Sequence, residues 1–251
     1  MKIASSYRVK FVLLGDSNVG KTTCCHLFAN NELDDTVSAT IGIGFATKTI
    51  VIDNKEFNND NNGNNNGNNN NGNNNGNNNN GNCNNNGNNN NGNSKQELII
   101  QIWDTAGQQR FENLLKSYLR DTCIGIFVFD LTNRESFDHL DKWKEQLDSM
   151  NSNDLMPMYI IVGTKSDLRD HQVSHYEIEE KANEWKCKYY VISCVQNNSY
   201  DMIYRIFYNS AKEFHQKMIQ AEINNLELPR FVINTSFISL TPRINKKKSC
   251  C

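Results

Sequence analysis

The stretch GDSNVGKT, from Gly15 to Thr22, decides the fold of this chain because of what stands on either side of it. Val9–Leu14 before it is nearly all apolar, as expected for a buried parallel strand. Thr22–Asn30 after it contains no glycine or proline and predicts a helix. In this context the pattern G-x-x-x-x-G-K-[ST] is a phosphate-binding loop, since backbone N–H groups point into one concavity. We therefore expect Lys21 to reach the outer phosphates and the Thr22 hydroxyl to bind Mg²⁺.

A tract of low complexity interrupts the chain at residues 58–93, which contain only Asn and Gly apart from Asp60 and Cys83. No apolar side chain there can offset the entropy of ordering, so we predict a disordered insertion. It lies between two predicted strands, Ile41–Asp53 and Glu97–Trp103, where a hairpin tip tolerates extra length at little cost. A tolerated repeat expansion without function is the favoured interpretation, and binding of some partner by the tract remains open.

Bulk properties exclude several classes of protein. The net charge of −2 does not indicate a nucleic-acid surface. The eight cysteines show no disulfide or metal-ligand spacing, and Cys24, Cys25, Cys123 and Cys194 fall in apolar patterns, which favours reduced thiols in the cytosol. No apolar run reaches the length of a membrane span and no signal peptide is recognisable. Any membrane contact is therefore expected to come from a covalent addition.

Strand and helix patterns alternate along the rest of the chain. Helices are predicted at Phe111–Leu119, Ser136–Met150, His175–Lys186 and Tyr200–Met218, and strands at Ile124–Leu131, Tyr159–Val162 and Tyr189–Ser193. Such alternation predicts right-handed crossovers and a mostly parallel sheet with helices on both faces. Ligands of such sheets bind beyond the carboxyl ends of the strands, and each motif described below lies there.

The segment WDTAGQQRF, from Trp103 to Phe111, places Asp104 at a strand end. A carboxylate there can hold Mg²⁺ through water, because this ion dehydrates reluctantly. Gly107 allows the backbone to approach the outermost phosphate. The amide of Gln108 both donates and accepts hydrogen bonds, which suits it to orienting a water that attacks phosphorus.

The segment TKSD, from Thr164 to Asp167, ends another predicted strand. The carboxylate of Asp167 could accept hydrogen bonds from N1–H and the exocyclic amine of guanine, a pair of donors that adenine lacks. The stem of Lys165 can pack along the base. Ser193 and Cys194, after the last predicted strand, could supply a backbone N–H to the base, although an ordinary turn is equally compatible with that pair alone.

Two further segments predict a switch and an anchor. The hydroxyl of Thr40 could complete the Mg²⁺ shell only while a third phosphate is present, which would make its loop an order–disorder switch. The chain ends in Lys246–Lys248, Ser249, Cys250 and Cys251. Two cysteines after a basic run are typical of a lipidation site, although they do not follow the C-a-a-X form. A frayed polar tail is the alternative.

Together these segments resemble the Ras superfamily of small GTPases, and within it the Rab family. The resemblance rests on GDSNVGKT, TIGIGF (Thr40–Phe45), IWDTAGQQRF, FVFDLTNRESF (Phe127–Phe137) and the terminal Cys-Cys. It implies the P-loop NTPase fold, an α/β architecture with a six-stranded mostly parallel sheet flanked by five helices. The implied GTPase domain spans residues 6–220, interrupted by 58–93, and a hypervariable tail follows at 221–251.

The resemblance also implies GTP and GDP as bound nucleotides, Mg²⁺ as cofactor, and slow hydrolysis. The site residues that it implies fall into groups by role. The catalytic residues are Lys21 and Gln108; the phosphate-binding residues are Gly15, Asp16, Ser17, Asn18, Val19, Gly20, Lys21, Thr22, Thr23 and Gly107. The guanine-binding residues are Thr164, Lys165, Asp167, Ser193 and Cys194; the metal-binding residues are Thr22, Thr40 and, through water, Asp104. Lipidation falls on Cys250 and Cys251, and the aromatic residues of the effector surface are Phe45, Trp103 and Tyr118, for which a role as plain core aromatics stays open.

Several positions depart from the family pattern. Thr164 replaces the usual Asn of Asn-Lys-x-Asp, Val195 replaces the Lys of Ser-Ala-Lys, and Gly44 and Gln109 each replace an acidic residue. Leu33 and Val37 stand where aromatic residues cover the base and the phosphates. Loss of aromatic contact weakens base binding by about 1 kcal/mol per ring, so Leu33 and Val37, together with Val195, predict faster nucleotide exchange.

The function expected from all of this is a membrane-anchored Rab-like GTPase switch in vesicle traffic. Its implied partners are an exchange factor, a GTPase-activating protein, effectors, an escort protein, a GDP dissociation inhibitor and a membrane reached through prenyl groups. The expected location is the cytoplasmic face of an intracellular or plasma membrane, with a cytosolic pool. A nucleotide-binding or nucleotide-free interaction module is the alternative, and a P-loop kinase is disfavoured because no second substrate site is recognisable.

Overall fold

The computed structural model describes residues 7–31, 43–53, 95–105, 117–151 and 157–224. The strands are β1 (Tyr7–Leu14), β2 (Ile43–Asp53), β3 (Lys95–Thr105), β4 (Ile124–Asp130), β5 (Met158–Thr164) and β6 (Lys188–Val191). The helices are α1 (Lys21–Asn30), α2 (Arg134–Asp138), α3 (Leu140–Met150), α4 (His175–Glu184) and α5 (Ser199–Ile223), with a short helical stretch at 117–119. The insertion at 58–93, most of the helix predicted at Phe111–Leu119, and the tail after 224 lie outside the described residues.

The six strands form one sheet in the order β2-β3-β1-β4-β5-β6. β2 runs antiparallel to β3, and all other neighbours are parallel, so the predicted six-stranded mostly parallel sheet is confirmed. Register places Leu13 beside Asp104 and Asp130 beside Thr164. The carboxyl ends of β1, β3, β4 and β5 therefore meet at one edge, where the predicted phosphate and base motifs begin.

Alternate residues of the central strands feed two separate hydrophobic cores. Phe11 and Leu13 of β1 pack with α1 and α5 on one face, whereas Val12 and Leu14 pack with α2, α3 and α4 on the other. Both faces of the sheet are thus covered, which explains why β1 and β4 are nearly continuous apolar runs. This layered α/β arrangement is the predicted P-loop NTPase fold. Within the described residues, no helix is both long and apolar enough to span a membrane.

Among the element boundaries that differ from the sequence prediction, those of β3, β6 and the helix after β4 differ in ways that the sheet and the loops explain. β3 extends beyond Glu97–Trp103 because its antiparallel pairing with β2 continues from Ile43 opposite Thr105 to Asp53 opposite Lys95. β6 ends at Val191, so the predicted strand end at Ser193 is wrong, and the loop after β6, here called the base loop (192–198), begins earlier. The helix predicted over Ser136–Met150 is divided at His139 into α2 and α3.

Candidate functional site

The loop between β1 and α1 takes a shape that glycine makes possible at both ends. Gly15 has φ 141°, and a Cβ atom there would lie 2.0 Å from the carbonyl oxygen of Val128. Gly20 has φ 96° and directly precedes the first turn of α1. Between them, Asn18 also adopts a left-handed conformation with φ 64°. Local backbone geometry therefore explains the glycines of the motif GDSNVGKT.

Lys21 lies across this loop and is only 5% exposed. Its Nζ donates hydrogen bonds to the carbonyl oxygens of Gly15, at 2.9 Å, and Asp16, at 2.5 Å. Burial lowers the pKa of Lys21 to about 8, against the opposing charges of Asp104 and Asp16. The ammonium group is therefore held over the concavity of the loop, where an anion would improve its solvation.

Oxygen ligands suitable for Mg²⁺ meet beside the loop. The Thr22 hydroxyl donates a hydrogen bond to Asp104, with Oγ1 and Oδ2 2.6 Å apart, and Asp104 is 2% exposed. Asp104 is positioned by its register next to Leu13, and the neighbouring Thr105 hydroxyl donates to the Leu13 carbonyl at 2.6 Å. A hydroxyl and a carboxylate are hard oxygen donors of the kind that this ion takes, so the residues present fit it.

The side chain of Asp16 turns away from the concavity toward the junction of α2 and α3. His139 Nδ1 lies 2.7 Å from Asp16 Oδ2, and Trp143 Nε1 donates to Asp16 Oδ1 at 2.9 Å. The sequence predicts Asp16 as a phosphate-loop residue, and its side chain contributes by holding that loop to the neighbouring helices. Sequence reasoning misses His139 and Trp143, because a lone His and a helical Trp carry no signal of such a contact.

Thr164 connects the base end of the site to the phosphate end. Its hydroxyl lies 2.7 Å from the Val19 carbonyl oxygen and 3.0 Å from that of Phe129, and the residue is 1% exposed. The single hydroxyl proton can be donated to one carbonyl or shared between both. This Thr therefore supports the phosphate loop from β5, and its predicted role in guanine binding would act through that support.

Lys165 follows in a left-handed conformation with φ 60°. Its Nζ pairs with Asp130 Oδ2 at 2.6 Å. Burial works to raise the pKa of Asp130, but the bonds from Lys165 and Thr132 outweigh it and lower the pKa. The ion pair fixes the Lys165 stem, and Asp167 beyond it is exposed and accessible to a base.

The loop after β6 lies directly beside this segment. Ser166 N donates to the Ile192 carbonyl at 3.1 Å, and the Ser193 hydroxyl accepts from Val195 N at 3.2 Å. The structure thus brings the predicted guanine-binding residues of the two loops together. Cys194, predicted to lie within an apolar element, is instead partly exposed in this loop.

The three predicted effector aromatics form one cluster. The rings of Phe45 and Trp103 have centroids 4.7 Å apart, and those of Trp103 and Tyr118 have centroids 5.1 Å apart. Phe45 is 53% exposed, so it is not a plain core residue. Trp103 Nε1 is buried and has no hydrogen-bond partner among the described residues.

Other predicted site residues lie outside the described part of the chain. These are Thr40, Gly107, Gln108, Cys250 and Cys251, together with the departures Leu33, Val37 and Gln109. Their roles stay predictions.

Two family models match the chain. The Ras family model matches residues 81–216, more than half of the chain. A model described as the Ras of Complex, Roc, domain of DAPkinase matches residues 10–67. The first match contains Asp104 and the segment Thr164–Asp167, and the second contains the loop Gly15–Thr22.

Proposed function

Because the chain belongs to the Ras family, we propose that its GTPase domain acts as a Rab-like switch that alternates between GTP and GDP. One observation carries the proposal. The phosphate loop and the segment Thr164–Asp167 lie at the same sheet edge and are joined by the contact of Thr164 with the Val19 carbonyl oxygen. A nucleotide carries its phosphates and its base in one covalent molecule, so one ligand can engage both segments.

In the proposed reaction each residue has a defined task. Lys21 and the backbone N–H groups of the loop stabilise charge on the transferring phosphoryl group. Thr22 and Thr40 would hold Mg²⁺ directly and Asp104 through water; when bound, the ion neutralises charge on the phosphate oxygens. Gln108 orients the attacking water. An activating protein that supplies an arginine would raise a slow intrinsic rate.

Base selection is the sharpest test of nucleotide identity. Asp167 presents an acceptor to N1–H and the amine of guanine, whereas an Asn at this position also presents a donor. We expect Asp167→Asn to weaken GDP binding at least about tenfold and to strengthen binding of xanthosine diphosphate relative to GDP. Asp170→Asn, another exposed carboxylate after the same strand, is the matched control and should leave both affinities unchanged. Equal effects of the two variants would contradict guanine recognition by Asp167.

We extend the proposal to membrane attachment and vesicle traffic on the strength of the terminal basic run and Cys250-Cys251. Two lipid chains give stable anchoring where a single chain gives only a marginal one. Exchange factor, activating protein, effectors, escort protein and dissociation inhibitor would then govern a cycle between the cytoplasmic face of a membrane and the cytosol. Intact-mass measurement and fractionation of Cys250→Ser/Cys251→Ser against wild type test this. A wild-type chain without added lipid mass in its native cell would contradict it.

A second candidate is a nucleotide-binding module that does not hydrolyse GTP. The open base end favours it, since Val195 is 65% exposed and Asp167 is exposed. Single-turnover hydrolysis separates the two functions. A switch should lose stimulated hydrolysis in Gln108→Leu, whereas a module should show the same negligible rate in both proteins.

A further inference from the structure

Two free thiols meet where α1, the helix after the phosphate loop, contacts the base loop. Cys24 and Cys194 are 170 positions apart in the chain, yet their Sγ atoms lie 3.6 Å from each other. Cys24 lies in α1 and is 4% exposed, whereas Cys194 lies in the loop after β6 and is partly exposed. A disulfide requires about 2.05 Å between the sulfurs, so closure needs an approach of only about 1.5 Å.

The direction of the Cys24 side chain sets it apart from its neighbour in sequence. Cys24 borders a small internal space together with Ile192 and Phe207, on the β6 and α5 side of α1. Cys25 borders a different recess, with Gly44 and Asp104, on the β2 side. Successive residues of a helix point about 100° apart, so only Cys24 faces the base loop.

We propose that Cys24 and Cys194 form a reversible disulfide on exposure to small-molecule disulfides, and that this link loosens guanine-nucleotide binding. The second part of this proposal rests on the proposed function. The first part rests only on the position of the two thiols.

The chemistry proceeds by two thiol–disulfide exchanges. The Cys194 thiolate attacks one sulfur of the small disulfide, its S–S bond breaks, and one small thiolate leaves. The Cys24 thiolate then attacks the Cys194 sulfur of the mixed disulfide and releases the second small thiolate. The protein sulfurs lose two electrons to the oxidant, and the two thiol protons end on the two released thiols. Cys194 takes the first step because it is the accessible member of the pair.

The loop, and not the helix, is expected to move when the bond closes. Cys24 N donates to the Gly20 carbonyl within the first turn of α1, and the side chain is packed in the core. The base loop, by contrast, is solvent-exposed at residues 195–198. Closure would therefore draw the backbone of Cys194 toward α1 and away from its proposed hydrogen bond to the base. Loss of one such bond corresponds to about fivefold faster GDP dissociation.

The first experiment maps the bond in the full chain. The protein is incubated with oxidised glutathione, alkylated, digested without reductant and analysed by mass spectrometry. We expect a linked peptide pair containing Cys24 and Cys194 in wild type and in the matched control Cys25→Ala, and none in Cys24→Ala or Cys194→Ala. Thermal unfolding shows whether the variants are folded. If Cys24→Ala is unstable, Cys194→Ala, whose substitution lies in the base loop, is the variant that tests for loss of the linked peptide. Glutathione found only as single adducts, or linkage of Cys194 to another cysteine, would overturn the pair.

The second experiment measures dissociation of fluorescent GDP from the oxidised and the reduced protein. We expect about fivefold faster release after oxidation, reversal by dithiothreitol, and no response to oxidation in Cys24→Ala. By linkage, saturating GDP should disfavour the disulfide in glutathione buffers by the factor by which oxidation lowers the equilibrium affinity for GDP. A mapped disulfide with unchanged GDP release would overturn the regulatory part alone. A chain that binds no guanine nucleotide would contradict the proposed function and the regulatory part together, while the linked peptide would still establish the disulfide.

Discussion

The two ends of the candidate nucleotide site are built in different ways. At the phosphate end, Lys21 is 5% exposed and Asp104 is 2% exposed, and their contacts lie within or beside one short loop. At the base end, Asp167 is exposed and Val195 is 65% exposed, and the loops are held by the ion pair of Lys165 with Asp130 and the bond from Ser166 N to the Ile192 carbonyl oxygen. The phosphate end is therefore a buried site in which glycine backbone geometry is combined with side chains brought from β3, whereas the base end is open to solvent and has fewer contacts to hold a ligand.

The largest expected effect concerns the shape of the phosphate loop. Gly15→Ala places a Cβ atom 2.0 Å from the Val128 carbonyl oxygen at φ 141°, so the backbone must shift. We expect the free energy of unfolding to fall by about 3 kcal/mol, measured by urea denaturation. Gly20→Ala is the matched control, because its Cβ atom would meet nothing nearer than Thr164 Cγ2 at 3.5 Å, an ordinary van der Waals distance. In Gly20→Ala the only cost is that of holding an alanine at φ 96°, which should lower the free energy of unfolding by about 1 kcal/mol. Equal losses in the two variants would show that close approach to β4 is unimportant.

The next effect concerns the charge at the phosphate end. Lys21→Met removes the buried ammonium group but keeps an unbranched side chain, and we expect GDP affinity to fall about a hundredfold. Lys188→Met, which removes a surface lysine paired with Glu213 at 2.8 Å, is the control and should leave affinity unchanged. Titration calorimetry measures both. A loss below about threefold in Lys21→Met would refute the central role of this charge.

A smaller effect is expected where the two ends are joined. Thr164→Val keeps the shape of the side chain but removes the hydroxyl that contacts the Val19 and Phe129 carbonyl oxygens. We expect a loss of about 1.5 kcal/mol in unfolding free energy and about tenfold faster GDP release, because the phosphate loop loses its support from β5. Thr164→Ser retains the hydroxyl and should lie near wild type in both measurements. Stability loss without faster release would mean that the two ends act independently.

The range in sequence over which a feature is determined explains how much could be predicted from the sequence. The strands, the phosphate loop and the position of Asp104 were predictable, because hydrophobic periodicity and the glycine motif act over a few residues and parallel strands end at one edge. The contact of Asp16 with His139 joins residues 123 positions apart, and that of Cys24 with Cys194 joins residues still further apart. Such contacts depend on how helices pack against the sheet, which no local pattern encodes. The sequence prediction placed the end of β6 too late because Ile192 continues the apolar run, whereas the pairing of β6 with β5 stops at Val191.

The smallest expected effect separates the two ends by pH. Burial lowers the pKa of Lys21 to about 8, so the free protein loses this charge above that pH, while phosphate binding requires it. GDP affinity should therefore be nearly full at pH 7, about half of that at pH 8 and roughly fourfold lower at pH 8.5, and the already weak binding of Lys21→Met should not change. The stability of the nucleotide-free protein is expected to depend on pH in the opposite direction to the GDP affinity. In the unfolded chain this lysine keeps its proton up to the ordinary lysine pKa of 10.5, so the Lys21 contribution to the unfolding free energy of nucleotide-free protein rises with pH from about 8. Buried cysteines act in the opposite direction: burial raises the pKa of Cys25, for example, to about 12. The quantity to follow is therefore the difference in unfolding free energy between wild type and Lys21→Met. If the GDP affinity and this difference in unfolding free energy changed in the same direction as the pH rises, the charge of Lys21 would not govern the phosphate end.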